Sequence, residues 1–221
     1  MFTWTTRWHG MMLLENILIP NEWEIKVAFN GEYDDPDQEQ IAFDRCKFLI
    51  DVAYQEALFM RVDEETFSKL HDKVLCHKVT LPDEAIDSTI AIATLSKFIS
   101  ITEGRLSFDG ISISSRISEG IEFYFDSSML KDVHWLSDNP VRKLTGEPAW
   151  FMRSDAGSTD IWLQSKKKHE ILRDVDDWKN HGLDWEQTEM PNPTENLVVP
   201  PAHKPTIKKG WKPKVIDGGK V

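Results

Sequence analysis

Cysteine, long apolar runs and glycine-rich motifs are all scarce in this sequence of 221 residues. The two cysteines, Cys46 and Cys76, do not form a disulfide framework, and the apolar neighbours of Cys46 predict a buried, unreactive thiol. No apolar stretch approaches the ~20 residues that cross a bilayer. The richest early stretch, 11–19, is interrupted by Glu15 and lacks the small-residue cleavage site of a signal peptide. We therefore expect a cytoplasmic protein that makes no membrane contact.

Short catalytic and nucleotide-binding motifs are also absent from the sequence. Neither a Walker-type loop nor Gly-x-Gly-x-x-Gly occurs, which excludes the two phosphate-binding loops most easily recognised in a sequence. Because Gly-x-Ser-x-Gly is missing, Ser114, Ser115 and Ser154 are predicted to be turn or strand-surface residues. His71, Cys76 and His77 lack the second close pair of ligands that a zinc site needs. The sequence thus predicts no catalytic residue, no metal and no cofactor.

The charge of the chain is strongly acidic overall but unevenly distributed, with a formal net value of −11. From 191 to 221 six lysines face two acidic residues, a net charge of about +4, which leaves about −15 on residues 1–190. Such an acidic body repels the phosphates of duplex DNA. An acidic body with a basic tail favours a protein partner, or self-association through the tail.

Periodicity predicts several strands. Residues 22–30 alternate between apolar and polar, which is typical of a half-buried strand. The apolar positions of this strand are Trp23, Ile25, Val27 and Phe29. Further strands are predicted at 74–80, at 105–115 and at 117–125, with 118–120 as either a turn or a bulge. A second short hairpin is predicted from 150–153 and 160–163. These segments favour a mostly antiparallel sheet.

Two apolar helices are predicted to pack on that sheet. Asp35 followed by Pro36 and Gln38 indicates a capped helix start, and the predicted helix runs to about Phe59. Its apolar stripe comprises Ala42, Cys46, Leu49, Ala53 and Ala57. A second helix, at 81–99, is apolar on most sides and is predicted to be the most buried element. Shorter helices are predicted at 63–72 and, on the surface, at 166–180.

The predicted architecture is a single α+β domain over residues 1–189 with a basic, proline-rich tail or arm over 190–221. Six prolines after Met190 forbid regular helix and favour extended backbone. We interpret this segment as an arm that binds, since it carries both charge and an indole. No internal repeat of 20 to 50 residues is visible, which argues against a solenoid.

Tryptophan is abundant, with nine residues, and six of them follow Thr102. Indoles serve in cores and at interface hot spots alike, and both uses remain open here. The predicted partner-binding residues are the indoles near the two ends of the chain and the lysines around the last of them. They are Trp4, Trp8, Trp211, Lys208, Lys209, Lys212 and Lys214.

Two alternatives to protein binding remain. Glu24 and Lys26 share a strand face and, with Asp44 or Asp51, could imitate a metal-dependent nuclease built from scattered carboxylates. Trp211 among lysines could also bind single-stranded nucleic acid by stacking and charge. A solvated strand surface explains the first pattern more simply, and a single aromatic residue makes a thin stacking platform for the second.

Three segments resemble uncharacterised small proteins of T4-like tailed phages. They are Asp34–Ile50 (DDPDQEQIAFDRCKFLI), the opening Trp8-His-Gly and Ile111–Arg116 (ISISSR). The similarity covers residues 1 to about 126 and implies no activity and no catalytic residue. It implies a virion or assembly component, or a factor that binds and disables or redirects a host protein. We therefore expect a non-enzymatic protein-binding accessory protein, located in the host cell cytoplasm or in the virion.

Overall fold

A mixed sheet organises the part of the chain that the computed structural model describes, namely residues 1–32, 34–61, 76–137, 148–159 and 177–185. Its six strands are β1 (Phe2–Leu14), β2 (Ile17–Gly31), β3 (Leu58–Arg61), β4 (Lys78–Leu81), β5 (Leu106–Ser115) and β6 (Glu122–Asp126). They lie in the order β4-β3-β1-β2-β5-β6. The pairs β1–β2, β2–β5 and β5–β6 are antiparallel, whereas β1–β3 and β3–β4 are parallel. The α+β prediction is confirmed, and antiparallel pairing joins four of the six strands, β1, β2, β5 and β6.

The long hairpin of β1 and β2 is the central feature of the sheet. Its register runs from Phe2 opposite Phe29 to Leu14 opposite Ile17. The connecting residues Glu15 and Asn16 both have positive φ, 50° and 65°, which suits the twist of a two-residue hairpin. The predicted strand at 22–30 is therefore the second half of a longer one, which begins before Pro20. At that proline β2 extends past the end of β5, so no ladder hydrogen bond is lost there.

The inner face of the sheet is the apolar one, as the alternation predicts. Trp23, Ile25 and Val27 are fully buried, and Trp8 of β1 is stacked on Trp23 with ring centroids 5.7 Å apart. Helical segments cover this face, and none of the helices in the described ranges is long and apolar enough to cross a membrane. The core of the domain lies between these helices and the inner face.

The first helix, α1 (Pro36–Phe48), starts as predicted. The Asp35 carboxylate accepts a hydrogen bond from the Asp37 amide at 3.0 Å and another from the Gln38 side chain at 3.3 Å. The helix continues as a π-helical segment (Leu49–Tyr54), and the predicted end at Phe59 is wrong. Glu56 has a φ of 58°, which ends the helical backbone. β3 begins at Leu58, because Leu58 and Phe59 pair in parallel with Met11 and Met12 of β1.

The apolar stripe of α1 is buried as predicted. Ala42, Cys46, Leu49, Ala53 and Ala57 are all at most 5% exposed. Burial raises the pKa of the Cys46 thiol well above its ordinary value, so the thiol stays protonated and unreactive. The second cysteine, Cys76, is also free and partly buried.

The second long helix, α2 (Asp87–Thr102), starts later than predicted. Leu81 belongs to β4, and the residues from Pro82 to Ile86 form the connection. The helix start is fixed by the Asp87 carboxylate, which accepts hydrogen bonds from Trp23 Nε1 (3.1 Å) and Ser115 Oγ (2.9 Å). Both donors are distant in sequence, so a local pattern does not predict this start. The predicted burial of the helix is confirmed, with Ile90 and Phe98 fully enclosed.

The β5–β6 hairpin agrees with the predicted strands. Residues 116–120 form a turn rather than a bulge, with positive φ at Glu119 (51°) and Gly120 (89°). A register irregularity lies elsewhere, between β2 and β5 at Ala28 and Phe29. Ile121, predicted to face the core, is instead 73% exposed, because it lies between the turn and the start of β6 and is not part of the strand.

Short helices complete the described chain. They are the 3₁₀ helices Ser127–Asp132, Trp150–Met152 and Trp178–His181 and the helix α3 (His134–Ser137). The prediction of a strand at 150–153 is wrong, since these residues form a 3₁₀ turn. The predicted helices at 63–72 and over most of 166–180, the strand at 160–163 and the tail at 190–221 lie outside the described residues.

The segment 148–159 is held on α2 by a buried lysine. Lys97 Nζ donates hydrogen bonds to the carbonyl oxygens of Trp150 (3.0 Å), Arg153 (2.9 Å) and Asp155 (2.6 Å). The Asp155 carboxylate lies 3.5 Å from the same nitrogen and accepts a hydrogen bond from Arg153 Nε at 2.7 Å. Burial raises the pKa of Asp155, but Lys97 and Arg153 outweigh it, so the net pKa is lowered. A buried charge is tolerated here because its donors are satisfied.

Replacing Lys97 with methionine should destabilise the fold by about 2–4 kcal/mol, since three carbonyl groups lose a charged donor together. Urea denaturation measures the change. The matched control is Lys47→Met, which removes an exposed lysine that pairs with Asp44 on α1; we expect less than about 0.5 kcal/mol there. Equal effects at both positions would contradict the role assigned to Lys97.

Candidate functional site

The indoles predicted to meet a partner occupy different environments. Trp8 is 1% exposed in the core, so its prediction as a binding residue needs correction: the inner face of the sheet uses this indole for packing. Trp4 is partly buried against Phe43, with ring centroids 5.2 Å apart. Trp211 and the neighbouring lysines lie outside the described residues, so their predicted binding remains a prediction.

The later indoles in the described ranges also pack inward. Trp135, Trp150 and Trp178 are 9% exposed or less, and Trp185 is packed against the same core. Trp150 Nε1 donates to the Thr80 carbonyl and Trp178 Nε1 to that of Ser154. These four indoles therefore stabilise the domain rather than form a binding surface.

The residues of the nuclease alternative are not brought together. Glu24 and Lys26 share the outer face of β2, as predicted, but Glu24 accepts a hydrogen bond from Arg7 Nε at 2.6 Å and Lys26 pairs with Glu122 at 3.2 Å. Asp44 and Asp51 belong to the helical segment on the inner side of the sheet. Within the described ranges no three His, Cys, Asp or Glu side chains are grouped so that they could hold a metal ion.

The structure contains a serine–histidine contact that the sequence does not predict. His77 Nε2 lies 2.5 Å from Ser158 Oγ, although the two residues are 81 positions apart. His77 is an exposed residue, but desolvation and, after it, the charge of Lys78 lower the pKa of its imidazole. A neutral imidazole beside a hydroxyl is the arrangement of an activated nucleophile.

Burial argues for a structural use of this pair. Ser158 is 2% exposed, and its hydroxyl also lies 3.4 Å from the Lys78 carbonyl oxygen. The Ser158 carbonyl accepts from the Thr80 amide at 3.4 Å. The serine therefore joins segment 148–159 to the outer edge of β4, where a substrate carbonyl has no access to it.

A serine-directed fluorophosphonate should therefore label the native full-length chain no more than its Ser158→Ala variant. That variant should lose about 1 kcal/mol of stability, the usual value of one hydrogen bond. Intact-protein mass spectrometry measures the labelling. Stoichiometric modification that vanishes in Ser158→Ala would show a reactive nucleophile instead.

An arginine–tryptophan clasp holds segment 177–185 on α1. Arg45, 1% exposed, donates to the carbonyl oxygens of Leu183 (2.8 Å) and Ile101 (3.0 Å). Its guanidinium carbon lies 3.5 Å from the centroid of Trp185, and that of Arg105 lies 3.7 Å from the same centroid. The indole thus lies between two cations. Burial lowers the pKa of Arg45 to about 10, which leaves it charged at neutral pH.

Removing the central ring by Trp185→Ala should cost about 1–2 kcal/mol, because two cation–π contacts are lost. Amides of 177–185 should exchange with solvent markedly faster in that variant, including the Leu183 amide that donates to the Trp178 carbonyl at 3.0 Å. Hydrogen exchange read by mass spectrometry checks this. Asn180→Ala, an exposed change in the same segment, is the control and should leave exchange unchanged.

The strongest candidate for a binding surface is the half of the outer sheet face that is open to solvent. We call it the open face. It consists of Thr3, Thr5, Arg7, His9, Glu22, Glu24, Lys26, Ser112, Ser114, Glu122, Tyr124 and Asp126. The other half differs: Leu58 and Met60 are fully buried there, with Met11 and Leu13 packed against them. Parallel strands are usually buried on both faces, and antiparallel ones are not.

The chemistry of the open face is polar and flat. Hydroxyl side chains occupy much of it, and an alternating row of charges runs from Arg7 through Glu24 and Lys26 to Glu122. Tyr124, 60% exposed, is its one large aromatic side chain. Two basic residues face four acidic ones, so the surface does not favour phosphate backbones. A partner at this face would therefore meet hydroxyl groups and charges of both signs around a single exposed aromatic ring.

Comparison with known proteins adds no family: no protein-family model matches the sequence, and no curated protein matches it.

Proposed function

We propose that this chain is a non-enzymatic protein-binding accessory protein that presents its open face to a protein partner. The observation that supports this most directly is the contrast within one sheet. One half of the outer face is buried, whereas the other half exposes Thr3, Thr5, His9 and Tyr124 to solvent.

The rigidity of the surface favours binding. The β1–β2 ladder pairs thirteen residues on each strand, and β5 extends it on one side. Short hydroxyl side chains such as Thr5 and Ser114 lose little conformational entropy when a partner covers them. A surface that is ordered before binding therefore loses less conformational entropy when the complex forms.

The C-terminal tail adds a second contact to this proposal, on the grounds of its sequence alone. Trp211 can fill an apolar pocket while Lys208, Lys209, Lys212 and Lys214 meet acidic groups of a partner. A partner that meets both surfaces would show mixed polar contacts at the open face and acidic groups around an indole pocket.

Two forms of the function fit the resemblance to proteins of T4-like phages. A virion or assembly component repeats in fixed copy number within a large complex, whereas a factor that disables a host protein forms a small stoichiometric one. Mass measurement of the native complex separates these two forms, because it gives both composition and copy number.

Arginine substitutions on the open face test the proposal. Thr5→Arg and Ser114→Arg place long side chains at the centre of the surface without touching the core. We expect each to reduce recovery of the native complex about tenfold, because an interface centre does not tolerate a misplaced charge. The measurement is affinity purification of the full chain from its native cell, followed by native mass spectrometry.

The matched control is Asp51→Arg, an exposed change on the helical side of the sheet. It should leave complex formation unchanged and, at the same time, tests the nuclease alternative. If the purified chain hydrolyses a nucleic acid and substitution of Asp51 or Glu24 abolishes that activity, the nuclease alternative is correct and the binding proposal is wrong. If Thr5→Arg and Ser114→Arg leave complex formation as unchanged as the control does, the open face is not the binding surface.

A further inference from the structure

Strand β6 forms one edge of the sheet within the described residues. It pairs with β5 through five positions, from Ser114 opposite Glu122 to Gly110 opposite Asp126. In an antiparallel edge strand alternate residues direct their amide and carbonyl groups away from the sheet. Side-chain exposure agrees with an accessible edge, since Glu122 is 44% and Tyr124 60% exposed.

The opposite edge of the sheet is treated differently. There the Thr80 amide of β4 donates to the Ser158 carbonyl at 3.4 Å, and the indole of Trp150 donates to the Thr80 carbonyl. Segment 148–159 thus uses hydrogen-bonding groups of β4. An edge covered in this way does not accept a further strand, so β6 is the edge in the described part of the sheet at which one can add.

Pairing of β6 with itself is electrostatically disfavoured. If two copies paired antiparallel about Tyr124, Glu122 of one copy would face Asp126 of the other at both ends of the ladder. Like charges opposite each other in a strand pair are destabilising. In the adjoining turn the charge of Glu119 is offset by that of Arg116. Glu122 also pairs with Lys26 of β2 at 3.2 Å, but two carboxylates against this one lysine leave the outer side of β6 acidic. That acidity disfavours a second copy and favours a positively charged strand.

Tyr124 places an aromatic side chain at the middle of this edge. The ring lies over Gly110: a Cβ on that glycine would come within 2.8 Å of the Tyr124 hydroxyl oxygen and 2.7 Å of the Phe125 carbonyl oxygen. Only glycine admits so close an approach. The ring therefore lies over the sheet next to the position where a new strand would lie.

We propose that β6 accepts an extended, basic segment of a partner protein as an added strand, which rests on the proposed protein-binding function and specifies its partner. Residues of such a strand that face Glu122, Tyr124 and Asp126 are spaced two apart. The matching segment carries basic residues at its first and fifth positions. A small or hydroxyl residue stands at its third position, against Tyr124, and apolar residues at its second and fourth lie beside Phe123 and Phe125.

The test is binding of a synthetic peptide to the full-length chain. The probe is a fluorescein-labelled peptide with the core Lys-Val-Thr-Val-Lys, followed by fluorescence anisotropy. We expect saturable binding, and at least about tenfold weaker binding when both lysines are replaced by glutamate, because two attractive pairs become repulsive.

Backbone methylation separates strand addition from simple charge attraction. Methylating the amides of alternate residues in the peptide removes donors on one edge only. We expect methylation of one alternate set to abolish binding and methylation of the other set to preserve it. If both methylated peptides bind like the parent, charge alone holds the peptide, and strand addition is refuted.

Variants of the chain locate the site. Glu122→Lys should weaken binding of the basic peptide about tenfold and improve binding of the glutamate peptide, with Glu122→Gln between them. Asp51→Lys, the same charge change on the helical side, should leave binding unchanged. If Glu122→Lys leaves the affinity for the basic peptide unchanged, the peptide binds elsewhere and the proposal is wrong.

Two further outcomes would also overturn it. If the peptide does not bind at all, strand addition fails; the native complex then tells whether the open face still binds a partner through Thr5 and Ser114, so the two proposals fail separately. If sedimentation shows a dimer that Tyr124→Lys dissociates, β6 pairs with a second copy and the basic partner is excluded.

Discussion

The stacked pair of Trp8 and Trp23 imposes the main constraint on this fold. Both indoles lie on the inner face of the β1–β2 hairpin and are at most 1% exposed, with Tyr54 and Phe59 packed around them. Two rings of this size need a cover of apolar side chains, which the first helical segment and α2 supply. Because the helices are recruited to this face, the antiparallel half of the outer face remains polar and exposed.

Much of this arrangement follows from local sequence patterns. The alternation of β2 predicts which residues enter the core, and the Asp35 cap predicts the start of α1. The helical stripe through Ala42 and Cys46 is buried as its spacing indicates. These features depend on residues within a few positions of each other, where periodicity and capping chemistry are informative.

The features that sequence reasoning missed depend on distant contacts. The end of α1 is set by parallel pairing of β3 with β1, and the start of α2 by donors from Trp23 and Ser115. The His77–Ser158 contact and the three carbonyl acceptors of Lys97 join segments more than fifty residues apart. The irregular alternation of residues 2–8 and their position near the end of the chain predict Trp8 as a binding residue, because such a pattern does not distinguish the inward side of β1.

Long-range polar contacts also explain why the open face and β6 are exposed. Lys97 holds segment 148–159 against α2 and the β4 edge, while Arg45 holds segment 177–185 against α1. Both cations are buried on the helical side of the sheet. Lys97 donates to carbonyl groups of segment 148–159, and Arg45 donates to the carbonyl of Leu183 in segment 177–185 and to that of Ile101 in α2. A buried cation without such acceptors is strongly unfavourable, so the two segments are bound to that side. Their placement leaves the open face and β6 uncovered by either segment, which is the condition for both to meet a partner.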